Sequence, residues 1–265
     1  MEGINYQADS NRVIEIKTCT NAIHTSRTHF HDEVAIGLIE QGSCRARIGH
    51  QSFYLANRTL LVIPSGAVHC CSPSDVKNWR FRMLYFSASW LSQFGGEWLF
   101  RGGIYPQITE DQFRVLVQWF NQFETNLANA ENESKILIHL MNYMDLNRNG
   151  ITQNSEIMSS DKLNDVRLFL IRNYRRRIRM DEISERVGMD KYTLIRHFHA
   201  YTGMTPLKYV INLRINSAKN MLHGQKSIAD VAVASGFYDQ SHFDKSFKAY
   251  TGVAPIDYRR QSASF

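Results

Sequence analysis

In the run Asp190–Tyr209 (DKYTLIRHFHAYTGMTPLKY), Tyr192, Ile195, Arg196 and His199 recur at helical spacing. At i, i+3, i+4 and i+7 these side chains share one face of a helix. A guanidinium grips guanine O6 and N7 through two hydrogen bonds, and an isoleucine or tyrosine touches a thymine methyl. That face carries the chemistry for reading base edges, and Lys191 completes the candidate set. A second set follows 49 residues later in Asp239–Tyr258 (DQSHFDKSFKAYTGVAPIDY), with Gln240, Ser241, Lys245 and Lys248 outward and His242 on the flank. Glutamine suits adenine and lysine suits guanine. Asp244 fits the set least, and capping, pairing with Lys248 or accepting from cytosine all remain open for it.

The elements that must hold these residues are repeated as well. The two segments agree at Asp, Phe, Ala, Tyr, Thr, Gly, Pro and Tyr, so one supersecondary unit is used twice, too few times for a solenoid. Each copy predicts a helix capped by Asp190 or Asp239 and stopped by a glycine ahead of a proline. Leu194, Phe198 and Tyr201 pack inward in the first copy; Phe243, Phe247 and Tyr250 do so in the second. Ahead of each lies a short helix, Asp181–Val187 ending at Gly188 and Ile228–Ala234 ending at Gly236. Small Ser184 and Ala232 stand where the helices of a helix-turn-helix must approach. Pro206–Leu222 forms a joining helix of roughly 25 Å, a spacer that can set two outer helices about one DNA turn, ~34 Å, apart. Charge follows the same division. Residues 1–150 hold 13 Lys+Arg and 14 Asp+Glu, whereas residues 151–265 hold 18 and 11. A basic excess confined to paired helical units points to a polyanion such as double-stranded DNA.

The stretch from Lys162 to Arg260 resembles the DNA-binding domain of the AraC/XylS family of bacterial transcription regulators. The most specific part is Gly236-Phe-Tyr-Asp-Gln-Ser-His-Phe-Asp-Lys-Ser-Phe-Lys-Ala-Tyr-Thr-Gly-Val-Ala-Pro-Ile-Asp-Tyr-Arg259. Lys245 stands where the family usually has arginine, a point charge in place of a fork. Ile195 takes an often polar position. The resemblance implies promoter binding at asymmetric half-sites and activation through contact with RNA polymerase.

Before residue 150 the period is different. Val34–Glu40, Cys44–Ile48, Ser52–Leu55, Thr59–Ile63 and Arg80–Phe86 read as strands between turn signals, predicting a small barrel or sandwich. Two amphipathic helices follow within Thr109–Asn147, one with Phe113, Leu116, Val117, Phe120 and Phe123, the other with Ile136, Leu137, Leu140, Met141 and Met144. They can cap the barrel, pair two subunits, or both. The polar stretch Arg148–Ser159 reads as a linker. The expected architecture is α+β: a cupin-like barrel with two helices (1–148), a linker (149–159), and an all-α domain of two helix-turn-helix units joined by a long helix (160–265). No apolar run is long enough to span a bilayer and no secretory signal opens the chain, so a cytoplasmic protein is expected. Cys19, Cys44, Cys70 and Cys71 form no zinc or disulfide pattern; reduced thiols are expected, with redox sensing by Cys70 and Cys71 as the alternative.

His29-Phe-His-Asp-Glu33, Gly42, Pro64-Ser-Gly-Ala-Val-His69 and Trp79 through Phe86 resemble the cupin-type effector domain of the same family. Strand parity points Phe81, Met83 and Tyr85 into the barrel, with Trp79 at its mouth and Arg80 and Arg82 on the far side. With His31 and His69 these make a candidate effector site, apolar enough for an aromatic or aliphatic small molecule. The same parity also suits a closed, filled core. His29, His31 and His69 supply part of a cupin metal set, but Glu33 comes too early for its acidic member. No metal, cofactor or enzymatic activity is expected. A homodimer with DNA, RNA polymerase and a small-molecule effector as partners is the leading reading. A regulator without an effector and a metal-dependent cupin enzyme fused to DNA-binding helices are the alternatives.

Overall fold

In a computed structural model, which describes residues 3–9, 13–23, 27–93, 102–105, 108–126 and 161–262, the first half is antiparallel β-structure. A six-stranded sheet runs β1 (Gly3–Ala8), β2 (Ile14–Thr20), β8 (Arg80–Phe86), β3 (Val34–Gln41), β6 (Thr59–Ile63), β9 (Gly103–Tyr105). It faces a three-stranded sheet of β5 (Gln51–Ala56), β4 (Ser43–Ile48) and β7 (His69–Pro73). The expected barrel is therefore a two-sheet, cupin-like sandwich, closed by side chains and by a bridge from His29 to His69. The strands expected between Val34 and Phe86 are present. β1, β2, β7 and β9 are additional, and β9 is only three residues long.

Strand parity sorts the side chains into two cores. Phe81, Met83 and Tyr85 of β8 meet Ala35, Ile39, Leu61 and, from the opposite sheet, Cys44, Ala46 and Leu55. Gly37 of β3 leaves room there, since a Cβ would stand 2.3 Å from the Met83 sulfur. The alternate residues, among them Ile14, Ile36, Leu84 and Phe86, face outward and are covered by Leu91 of α1 (Ala88–Ser92) and Leu116, Phe120 and Phe123 of α2 (Glu110–Asn126). Burying each of these phenylalanines stabilises by about 1.5–3 kcal/mol. Arg82 shares the covered face at 1% exposure, held by Glu40, by Asn121 at 2.7 Å and by Glu124 at 3.2 Å. A buried guanidinium needs such a ring of acceptors. The apolar stripe of α2 thus caps the sheet. The second expected helix stripe (Ile136–Met144) and the linker lie outside the described residues.

The described chain from residue 161 is helical: α3 (Asp161–Asn173), α4 (Met180–Val187), α5 (Lys191–Thr202), α6 (Pro206–Leu222), α7 (Ile228–Ala234), α8 (Gln240–Thr251) and α9 (Pro255–Ser262). Local chemistry sets these limits. Asp190 accepts from the amides of Tyr192 and Thr193 at 3.0 Å, and Asp239 from that of His242 at 2.7 Å; each such cap is worth ~1 kcal/mol. Gly203 and Gly252 end the same helices in the left-handed region, and Pro206 opens α6 where its missing N–H costs nothing. α4 with α5, and α7 with α8, are the two helix-turn-helix units. Ile183, Leu194 and Phe198 pack on Val166 and Leu170 of α3, with Tyr201 only half-buried. Val231, Phe243, Phe247 and Tyr250 pack on Ile215 and Leu222 of α6 and Tyr258 of α9.

Helices alone close neither core. Phe30 and Val68 of the β-half join the first, and Tyr6 of β1 joins the second. Asn212 exchanges hydrogen bonds of 3.0 and 2.7 Å with the Phe30 backbone, and Asn216 donates to Asp32 at 3.1 Å. The Tyr6 hydroxyl and the Lys17 ammonium donate to the Thr251 carbonyl at 2.8 and 3.2 Å. At the centre of this seam Lys219 lies 3.0 Å from Glu15 and 3.9 Å from Glu33, while Tyr258 donates to the other Glu15 oxygen. Burial alone would strip the charge from Lys219; the two carboxylates outweigh it and raise its pKa. Burial pushes the neighbouring Lys17 well below the ordinary amine range.

His31 and His69 sit beside the seam at 5% and 7% exposure, with ring centroids 5.0 Å apart. Burial lowers His31 to about 4 and His69 well below its ordinary value. In the unfolded chain a histidine takes up its proton as pH falls through about 6.5, whereas the folded rings resist until much lower pH. Their contribution to stability is therefore whole above pH 6.5 and is lost progressively as pH falls toward 4. The urea midpoint is expected to decline between pH 6.5 and 4.5, and His31→Gln to shrink that decline; a flat wild-type profile would contradict the neutral buried rings. A second expectation concerns Gly236, whose φ is 93° and whose Cβ, if present, would come 2.6 Å from the Arg175 carbonyl oxygen. Gly236→Ala should lower the unfolding free energy by about 1–3 kcal/mol, and an unmoved urea midpoint would show that the loop yields freely.

Candidate nucleic-acid interface and effector cavity

On α5, Tyr192 is 87% exposed, Arg196 and His199 are exposed, and Ile195 is half-buried. Lys191 is exposed but ion-paired to Asp181 of α4, so its charge braces the first unit internally. On α8, Gln240, Ser241, His242, Lys245 and Lys248 are all exposed, and the His242 ring lies 5.4 Å from that of Phe237. Among the described residues Asp244 neither caps α8 nor pairs with Lys248: one of its oxygens accepts from the Gln240 amide at 3.4 Å, which orients that side chain and leaves its reading toward cytosine open. Sequence reasoning missed Tyr238, 94% exposed in the turn just ahead of α8. An aromatic residue directly before a capping aspartate was the available signal. The two faces differ in kind, with a fork and apolar surface on the first and amide, hydroxyl and ammonium groups on the second.

Inside the sandwich lies a cavity of about 60 Å³. His69, Trp79, Phe81, Met83 and Tyr85 line it, as does His29. Trp79, expected at a mouth, is 2% exposed and belongs to the interior wall. His31 lines a smaller void of about 30 Å³ in the seam instead, with Asn212 and Lys219; His29 and Tyr85 border both spaces. A third void of about 220 Å³ in the seam is bounded by Glu15, Glu33, Lys219, His223 and Tyr258. The 60 Å³ space is well below the ~150 Å³ of an engineered apolar cavity that takes benzene. Its occupant must be small unless the walls move.

Burial keeps the three histidines neutral, and hydrogen bonding selects their tautomer. Nδ1 of His29, His31 and His69 lies 3.0, 2.7 and 2.9 Å from the carbonyl oxygens of Arg27, Glu33 and Ala67. A carbonyl only accepts, so each Nδ1 carries hydrogen and each neutral ring offers Nε2 as an acceptor. Nε2 of His31 is buried with no partner among the described residues. The Glu33 carboxylate turns to Lys219 rather than to the histidines. Among the described residues, no group of three His, Cys, Asp or Glu could hold a metal ion. A hydrogen bond with Cys44, together with burial, pushes the Cys71 thiol far up, which makes it a poor nucleophile. No helix of the described residues is long and apolar enough to cross a membrane.

Residues 183–261 match a family described as a helix-turn-helix domain, and residues 16–142 match the AraC-like ligand binding domain. The chain is 26% identical over 250 residues to the HTH-type transcriptional regulator YbfI of Bacillus subtilis (strain 168), covering 89% of this chain and 88% of that one. It is 27% identical over 155 residues to the HTH-type transcriptional activator RhaS of Escherichia coli (strain SE11), covering 58% of this chain and 55% of the relative. The crystal structure of ToxT from Vibrio cholerae O395 shares the fold, with a TM-score of 0.55 over 99% of this chain and 98% of that chain at 15% identity. ToxT from strain SCE256 has also been solved bound to an unsaturated fatty acid (TM-score 0.56, 14% identity, 99% of this chain and 95% of that chain). With a ligand-binding match over the β-half and a helix-turn-helix match over the repeated units, the chain belongs to the AraC/XylS family of DNA-binding transcription regulators.

Proposed function

We propose that this regulator is an activator that lays α5 and α8 in successive major grooves of an asymmetric site, under the control of a small molecule held in the sandwich. One observation carries the reading: capped, glycine-stopped scaffolds of the same build present unlike outward residues. Tyr192, Ile195, Arg196 and His199 read the first groove, with Lys191 in support. Gln240, Ser241, His242, Lys245 and Lys248 read the second. Residues 1–148 serve sensing and dimerisation, 149–159 link, and 160–265 bind DNA. Pairing of two subunits is assigned to the helices expected within Thr109–Asn147, the first of which, α2, also lays its apolar stripe on the sheet. RhaS, a relative, is named a transcriptional activator, which supports the activator reading; a cytoplasmic dimer that recruits RNA polymerase belongs to the same proposal. No enzymatic step is assigned to any residue.

The effector site is the interior cavity with its histidine wall. Apolar side chains surround the body of the ligand, and Nε2 acceptors meet its polar end. A small neutral molecule with a hydrogen-bond donor fits that chemistry; a carboxylate would face lone pairs. In the seam, a carboxylate would have to displace Glu15 or Glu33 from Lys219. The small volume of the cavity favours one competing reading, a sandwich without an effector whose regulator acts through its expression level.

Isothermal titration of the full chain with short alcohols, beside carboxylic acids of matched size, should give heat for the alcohols, and Met83→Trp should abolish it. Heat from the acids alone would reject the neutral-donor assignment, and silence across the panel would favour the effector-less regulator. For DNA, Arg196→Ala is expected to cost ~1–3 kcal/mol at a footprinted site and to relax preference at one base pair, measured by fluorescence anisotropy. Equal loss on every sequence would make Arg196 a phosphate contact.

A further inference from the structure

The loop from α3 to α4 carries Arg175, Arg176, Arg177 and Arg179, and its charges divide into two groups. Arg176 donates to Glu182 and Arg179 pairs with Asp181, while Arg186 on α4 pairs with Asp165. Arg175 and Arg177 are exposed, and neither has a carboxylate partner among the described residues. The loop itself is fixed. The Arg214 guanidinium of α6 donates to the carbonyls of Tyr174 at 2.7 Å and Arg176 at 3.0 Å. The Arg175 backbone packs so closely on Gly236 that no Cβ fits between them. The loop leading into the first unit is thereby braced against the turn of the second.

The loop leading into the second unit is held by the same means. Arg259 of α9 donates to the carbonyls of Leu222 at 2.9 Å and Lys226 at 2.7 Å, while the Lys226 side chain is exposed without a carboxylate partner among the described residues. In a helix-turn-helix the first helix crosses the DNA backbone while the second enters the groove. The residues that lead into α4 and α7 therefore lie over phosphates when α5 and α8 are seated. We propose that these two braced loops are phosphate clamps, with Arg175 and Arg177 on one and Lys226 on the other, and that they set the register in which both recognition helices dock. The proposal rests on the DNA-binding reading above. Each guanidinium that binds a phosphate displaces condensed counterions and carries no base information.

The test uses the full chain, a duplex enriched by it from a random-sequence pool, and an unselected duplex of the same length, with affinity measured across a salt series. Arg175→Gln/Arg177→Gln should lower the slope of log affinity against log salt by about 1.8, and Lys226→Gln by about 0.9. Both variants should weaken the two duplexes by a similar factor. Unchanged slopes, or a loss confined to the selected duplex, would overturn the clamps. Should the double variant fail to fold by circular dichroism, Lys226→Gln carries the same test at the second loop. Wild-type binding with neither salt dependence nor preference for the selected duplex would instead overturn the DNA-docking reading itself.

Discussion

A carboxylate, Glu15, joins the two halves of this protein. It faces Lys219 of α6 and Tyr258 of α9 from the sheet side of the seam. Charges withdrawn from water are tolerated only when each has its partner, so the three groups fix one another and with them the position of the helices on the sandwich. Asn212, Asn216 and Lys219 all project from the helix that also separates the two helix-turn-helix units. α6 is therefore both the spacer of the DNA-reading surface and one wall of the seam. A change in seam packing bears directly on the spacing of α5 and α8.

The sandwich is connected to the same helix by a short physical route. His29 and Tyr85 border both the interior cavity and the seam void that Asn212 and Lys219 line. The Lys219 ammonium lies 5.3 Å from the centre of the Tyr85 ring. A ligand that moves either residue alters contacts of α6 without crossing a domain's width. It shifts the regulator's equilibrium only by its difference in affinity between two arrangements.

The reading surface illustrates what local chemistry specifies. Asp190, Asp239, Gly203, Gly252 and Pro206 each act through the backbone within a few residues, so the helix limits around them were legible without a structure. Leu194, Phe198, Phe243 and Phe247 followed from helical periodicity for the same reason, and the inward facing of Phe81, Met83 and Tyr85 from the period of two along a strand. Lys191 and Asp244 were less legible. Whether an exposed lysine is free or bound to Asp181, and whether an aspartate turns to a glutamine or to a lysine, depends on rotamers and neighbouring helices rather than on spacing.

By itself the sequence determined the duplicated helical unit, its unlike outward faces, the basic balance of the second half and most strands of the first. It left hidden the seam that makes the halves one object. Glu15 and Lys17 alternate with Ile14 and Ile16, which reads as the solvent side of a strand, yet Lys17 is fully buried. Tyr6 and Phe30 read as parts of a polar terminus and a loop, yet they complete helical cores more than a hundred residues away. Only the tertiary structure decided these, because periodicity reports which residues share a face and not what that face is pressed against.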